Sequence, residues 1–450
     1  MSRSIARLRD HAFRIMDAAI SAVAPGTAVK KNLALKGDTL HVGEYGLDIT
    51  RFKRVVVVGA GKASAAMARA VEEILGDRIT GGLVVVKYGH SVDLNKVRVK
   101  EAGHPVPDKE GLKGAQEVLS ILEGCGEEDL VISLISGGGS ALIPLPADGL
   151  TLEEKQEVSK VLLACGADIH EMNTVRKHLS RTKGGLLAKA AYPATVVNLM
   201  LSDVVGDDTD VIASGPFVPD RSTFSDALKV IEKYNIENRI PGNVMEHLGK
   251  GFSGDIPETP GADDPVFKRV INLIIGSNIT ACRAAMGKAR DMGYNTIVLS
   301  SMLEGNTVDV ARIHVAIAKE VIRSSMPVGM PACIISGGET TVVVKGDGLG
   351  GRNQEFALYS AGLISGLEED IVILSIGTDG TDGPTDAAGG IVDPFTEARG
   401  REKGLDIGHY LEANDSYHYL SATGDLVKTG PTLTNVMDIH LILIGSHLKY

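Results

Sequence analysis

The stretch Leu130-Val-Ile-Ser-Leu-Ile-Ser-Gly-Gly-Gly-Ser140 constrains the fold of this chain more than any other. An apolar run of strand length passes without a spacer into three glycines bracketed by Ser136 and Ser140, as a buried strand does when it hands over to a loop that must approach a ligand. Successive glycine amides form a concave nest for phosphate or carboxylate oxygens, and a following helix start adds to it. The exit recurs in Cys333-Ile-Ile-Ser-Gly-Gly-Glu-Thr340, Val55-Val-Val-Val-Gly-Ala-Gly-Lys62 and Ile373-Leu-Ser-Ile-Gly-Thr-Asp-Gly380. A flexible surface turn is the plain alternative for any one of these; the recurrence argues against it for the set.

Val/Ile-rich runs at 54–59, 83–87, 97–101, 130–135 and 195–201 alternate with helix-like stretches at 63–75, 109–122 and 152–163. This predicts an α/β fold of two Rossmann-like domains, with largely parallel sheets and helices on both faces. A Gly/Pro-rich stretch at 251–265 has the punctuation of a linker. Beyond it strands are expected at 270–275, 295–299, 332–336, 341–344, 371–376 and 439–444, with helices at 279–291, 307–323 and 354–363. A chain of 450 residues exceeds one core, so domains over 1–250 and 265–450 are expected, with the active site in the interdomain cleft. The first helix, with Ile5, Leu8, Ala12, Ile15, Met16 and Ala19 on one face, fits either domain.

Composition excludes several classes. A net charge of -11, no tryptophan and 4% aromatics leave neither a basic stripe nor stacking platforms, so no nucleic-acid partner is expected. Cys125, Cys165, Cys282 and Cys333 lie far apart and read as reduced core residues. With no signal-peptide block and no apolar run of membrane length, a soluble cytoplasmic protein without a membrane partner is expected. The oligomeric state is left open, a homodimer included.

Gly59-Ala-Gly-Lys62-Ala-Ser64 begins as a dinucleotide site does, but Ser64 stands at the third glycine position and the next strand ends in Lys87 where a ribose-binding acid is wanted. It is no Walker loop either, because Ala63 follows Lys62. What remains is a lysine in a first helical turn, a place that disfavours a cation unless an anion shares it. Asp203 follows an apolar strand, where a carboxylate can take a hydroxyl proton, hold a divalent metal or cap a turn. Arg176, Lys177, Arg181 and Lys183 read mostly as a charged face. Arg352, after Gly350-Gly351, stands at a helix start and suits bidentate contact with carboxylate or phosphate. Of Asp379, Asp382 and Asp386 in a Gly/Thr loop, Asp379 lies nearest the strand and is the candidate metal ligand, with turn formation as the alternative.

Nine motifs in order resemble the class II glycerate kinases of the MOFRL type: Gly59-Ala-Gly-Lys-Ala63, Gly103-His-Pro-Val-Pro-Asp108, Ser136-Gly-Gly-Gly-Ser140, Asn173-Thr-Val-Arg176, Leu201-Ser-Asp-Val-Val-Gly-Asp207, Ala213-Ser-Gly-Pro216, Ser336-Gly-Gly-Glu-Thr340, Gly351-Arg-Asn-Gln-Glu355 and the run from Gly377 to Gly389. The resemblance implies an ATP-dependent kinase acting on D-glycerate with Mg²⁺ or another divalent cation, giving 2-phosphoglycerate. It implies catalytic roles for Lys62, Asp203 and Arg352, and places Ser136, Gly137, Gly138, Gly139, Ser140, Arg176 and Asn353 among phosphate or substrate contacts. Replacing Lys62 or Arg352 by alanine is expected to abolish transfer with the fold intact. A reductase of hydroxypyruvate or tartronate semialdehyde is the rival enzyme, disfavoured by the incomplete dinucleotide fingerprint; a two-domain sensor of a small hydroxy acid is the non-enzymatic rival.

Overall fold

The computed structural model describes residues 2–446. The chain divides into a continuous unit, Pro25–Ile275, and a discontinuous one that joins the residues up to Ala24 with those from Gly276 onward.

The continuous unit opens with a small antiparallel sheet of β1 (Leu33–Lys36), β2 (Thr39–Val42) and β3 (Tyr45–Asp48), which the sequence reading did not anticipate. Its main sheet holds β4 (Arg54–Ala60), β5 (Ile79–Lys87), β6 (Val97–Ala102), β7 (Asp129–Ile135), β8 (Thr195–Leu201) and β9 (Val270–Gly276), in the order β6-β5-β4-β7-β8-β9. The pairs β5–β6, β4–β5, β4–β7 and β7–β8 are parallel. Alternation along each strand feeds two cores. Val55, Val57, Ile132 and Leu199 share one with the helix Ser64–Leu75, whereas Val56, Val58, Val131 and Met200 share the other with the helix Lys109–Glu123. Burial of both faces is why the central strands β4, β7 and β8 are mostly apolar.

A satellite core joins the helices Leu152–Ala164, Ile169–His178, Phe224–Lys233 and Gly242–Phe252. Three of the four start on capping boxes: Thr151 with Glu154, Asp168 with Glu171, and Thr223 with Asp226.

The second unit carries β10 (Asn295–Leu303), β11 (Ala332–Gly338), β12 (Ile371–Gly377), β13 (Gly389–Val392), β14 (Leu426–Val427) and β15 (Asp438–Ile444), in the order β10-β11-β15-β12-β13-β14. The expectation of a largely parallel sheet fails here. Only β10–β11 is a parallel pair, and β15 lies antiparallel between β11 and β12. The short connections from β12 to β13 and from β14 to β15 hold no crossover helix, so those strands reverse direction. The first helix, Arg3–Ala22, packs Ile5, Leu8, Ile15 and Met16 into the core of this unit with Val372, Leu374 and Leu441.

Three further expectations need correction. The strand foreseen at 270–275 as the start of the second domain is β9, the edge of the first sheet, so the chain changes unit at 275/276 rather than between 250 and 265. The 251–265 stretch is pinned rather than a free linker: Glu258 accepts from the Phe224 N–H (3.0 Å), Thr259 donates to Asp220 (3.0 Å), and the Pro260 carbonyl accepts from the Asp220 N–H (3.0 Å). No strand forms at 341–344; Thr341 makes one isolated bridge to Asn306, and Val343 and Val344 are exposed.

Arg9 anchors the first helix through buried pairs with Asp393 (2.6 Å) and Asp425 (2.8 Å), both also held by Arg399. Arg9→Ala leaves those buried carboxylates half-compensated and is expected to lower stability by about 3 kcal/mol, at the low end for broken buried pairs because Arg399 stays. The shift of the urea unfolding midpoint measures it.

Candidate active site

The order of the main sheet is that of a doubly wound dinucleotide-type fold, in which β4 and β7 flank the point where strand order reverses, and ligands gather at the carboxyl ends there. The two glycine exits leave the sheet at this point and are stitched together. The Lys62 N–H donates to the Gly137 carbonyl (2.9 Å), the Ala63 N–H to Ser136 Oγ (3.0 Å) and the Ser136 N–H to the Ala60 carbonyl (3.2 Å). Glycine is required on both sides. A methyl group on Gly61, which has φ of +146°, would collide with Ser136, and one on Gly137 would collide with the Asp203 carboxylate. Gly138 is left-handed at φ of +84°, and a Cβ there would sit 2.8 Å from the His104 ring. Among the described residues, no backbone carbonyl outside the regular elements accepts from the N–H of Gly137 or Gly138. Lys62, the glycine loop, Asp203 and His104 thus form one cluster.

His104, just beyond the end of β6, is a residue that sequence reasoning missed, although the motif containing it was noted. Burial first, then the positive charges of Lys62, Lys87 and His90, pull its imidazole down to about 4, so the ring is neutral near pH 7. His90 is tied to the same loop, its Nδ1 lying 3.1 Å from the Lys62 carbonyl. Ser136 is buried with its hydroxyl accepting from the Ala63 N–H, which gives it a structural task rather than the expected ligand contact. Ser140 Oγ lies 2.9 Å from Ser214 Oγ and also accepts from Lys183 Nζ (2.9 Å). Ser64 donates to the Leu134 carbonyl (2.9 Å), tying its helix to β7 at the place of the missing third glycine.

The expected charged face at 176–183 is mostly wrong. Lys177 is buried between Asp210 (3.0 Å) and Asp220 (3.2 Å), and Lys183 is buried against Ser140, whereas Arg176 and Arg181 are half-buried, Arg181 pairing with Asp148. The local pattern shows charge but not which side chains the glycine loop draws inward.

In the second unit Arg352 opens the helix Arg352–Ile364 and grips Asp438 with Nε (2.6 Å) and Nη2 (3.0 Å), while Nη1 reaches Glu339 (2.6 Å). Burial pushes the Asp438 carboxyl up to about 7 against the pull of Arg352 and Asn353. The carboxylate that the Arg352 guanidinium grips bidentately is thus the protein's own Asp438, and the helix start is capped from within: Asp382 accepts from the N–H groups of Asn353 (3.0 Å) and Gln354 (2.9 Å). Asn353, expected among the ligand contacts, is buried and engaged by Asp382, Asp438 and Ser375. Asp379 accepts from both the N–H and the hydroxyl of Thr381 (3.0 Å each), a turn-forming arrangement. Among the described residues, the group compact enough for a cation is His170, Asp208 and Asp210, and it does not include Asp379.

The fold and this cluster define an α/β protein whose glycine loops meet at a strand-order reversal. Residues 11–249 match the family described as a domain of unknown function, DUF4147, and residues 332–438 match the MOFRL family. The chain is 42% identical to the glycerate 2-kinase of Pyrococcus horikoshii, over 98% of each chain, and 44% identical to the D-glycerate 2-kinase of Thermotoga maritima, over 97% of this chain and 98% of that one. A crystal structure of glycerate kinase from Thermotoga maritima superposes with a TM-score of 0.87, at 44% identity, covering 97% of this chain and 99% of that one. Other relatives of like identity carry a hydroxypyruvate reductase name. The chain belongs to the class II glycerate kinase family built from the DUF4147 and MOFRL domains.

Two outcomes follow from the cluster. Gly137→Ala, whose added methyl meets the Asp203 carboxylate, is expected to cost on the order of 10²-fold in turnover by displacing that group, with the thermal midpoint moved far less. His104 binds a proton less readily folded than unfolded, so stability falls as pH drops from 6.5 towards 4. His104→Gln is expected to flatten that part of the pH–Tm curve.

Proposed function

We infer that this protein is an ATP-dependent kinase that phosphorylates D-glycerate on the 2-hydroxyl, giving 2-phosphoglycerate. The observation that carries this is the joining of the Lys62 and Gly137 loops at the strand-order reversal, with Asp203 against the glycines. Phosphoryl transfer asks a protein for positioning and charge neutralisation more than for covalent work. The amides of Gly137 and Gly138, with Lys62 beside them, suit phosphate oxygens. Asp203 orients the attacking hydroxyl and takes its proton. His104, neutral at working pH, adds a hydrogen-bonding group without another positive charge. Arg352 is proposed to supply further positive charge to the transferred group.

A divalent cation bound with ATP neutralises charge on the phosphate oxygens; carboxylates on this unit, Asp203 or the Asp208 and Asp210 pair, are oxygen donors of the type Mg²⁺ takes beside phosphates. Asp379 is the less suitable donor because Thr381 engages one of its oxygens.

Lys62→Ala is expected to lower turnover by roughly 10²-fold or more with an unchanged circular dichroism spectrum, followed by coupled ADP release with D-glycerate. For Arg352→Ala the earlier expectation of an intact fold changes, because buried Asp438 loses its bidentate partner. The double variant Arg352→Gln/Asp438→Asn separates the two effects: restored thermal stability with lost turnover supports a role in transfer, and restored turnover refutes one. The reductase alternative predicts NADH oxidation with hydroxypyruvate, and none is expected from the pure protein.

A further inference from the structure

A cavity of about 300 Å³ opens beside the glycine loop, lined by Lys155, Arg176 and Lys183 together with Ser140, Pro105 and Met172. Its charge is one-sided. Lys155 Nζ donates only to the carbonyls of Pro144 (3.1 Å) and Leu145 (3.3 Å), and Lys183 Nζ to the carbonyl (2.7 Å) and hydroxyl (2.9 Å) of Ser140. Among the described residues, no carboxylate pairs with either lysine or with Arg176, and Lys155 and Lys183 are 8% and 1% exposed. Unpaired buried cations are costly and persist where something else compensates them. Burial first, then the charge of Arg176 and, for Lys183, that of Lys155 as well, hold both lysines well below their usual range. That deficit is relieved when an anion enters.

We propose that this cavity is the acid-recognition pocket, in which Arg176, supported by Lys155 and Lys183, takes the carboxylate of the small hydroxy-acid substrate. This rests on the kinase reading given above. Three observations favour a carboxylate acid over the nucleotide. The guanidinium of Arg176 has no protein partner among the described residues, and its planar fork matches a carboxylate. The volume is at the lower end for small-molecule sites, where a three-carbon acid fits and a nucleoside triphosphate is crowded. The cavity is also continuous with the transfer cluster: Ser140 belongs to the glycine loop, and Pro105 follows His104, whose ring sits against Gly138. An acid held by its carboxylate here presents its hydroxyl end to that loop. The wall therefore selects acids over uncharged polyols of the same size.

The test compares wild type with Arg176→Gln and Lys155→Met, each checked for an unchanged thermal midpoint, by steady-state kinetics and by calorimetry with D-glycerate alone. Expected are a KM and Kd for D-glycerate raised roughly tenfold or more, a KM for ATP within about twofold of wild type, and a smaller preference for D-glycerate over glycerol. Binding to wild type should take up protons, seen as a buffer-dependent heat, and the uptake should shrink in Lys155→Met. Should one variant fail to fold, the other carries the test. An unchanged glycerate KM and Kd, or a rise confined to the ATP KM, overturns the assignment. If wild type binds D-glycerate through Arg176 yet releases no ADP, the kinase reading falls and the pocket stands.

Discussion

The close approach of the loops after β4 and β7 is the constraint on which the rest of the site depends. Lys62 takes its backbone position from the Gly137 carbonyl, and Ser136 starts the helix behind Lys62 by accepting from Ala63. Neither contact survives a side chain at Gly61 or Gly137, because the space that side chain would fill belongs to Ser136 or Asp203. The glycines therefore do two things at once: they admit the second loop, and they leave amides facing the space beside Lys62 and Asp203.

Electrostatics then divides the molecule. In the continuous unit, Lys177 is buried against the carboxylates of Asp210 and Asp220, but Lys155 and Lys183 are buried with carbonyls and a hydroxyl for company, and a histidine is held neutral beside a lysine. In the second unit, buried charge is internally balanced: Arg9 and Arg399 against Asp393 and Asp425, and Arg352 against Asp438 and Glu339. The arrangement around Lys155 and Lys183 leaves a deficit for an anion to fill. In the second unit Asp382 caps the helix start from inside.

Much of this was legible beforehand. The strands β4, β7 and β8 announce themselves because burial on both sheet faces leaves nearly unbroken apolar runs, and the glycine exits of β4 and β7 lie where those runs stop. The short antiparallel strands at 33–48 carry no such run, and β13, Gly389-Gly390-Ile391-Val392, has only two β-branched residues behind a glycine pair to mark it. Val343 and Val344 mislead in the opposite sense: they have strand propensity, but no neighbouring strand offers them a ladder. At the site, Lys62, Asp203 and the glycine loop stood out from local pattern alone, whereas His104 and Lys183 required knowing which segments meet.

What the sequence by itself determined is the class of layered α/β architecture, the places where strands give way to glycine loops, and the chemical kinds of side chain available there, because each follows from local periodicity and conformational freedom. Only the tertiary structure decided that β15 runs antiparallel between β11 and β12, that β9 closes the first sheet, and that Lys155, Arg176 and Lys183 share one cavity. Strand direction and the company a charge keeps depend on contacts between residues far apart in the chain. A run of apolar residues reads the same in either direction, and a lysine reads the same whether it faces water or a buried carbonyl.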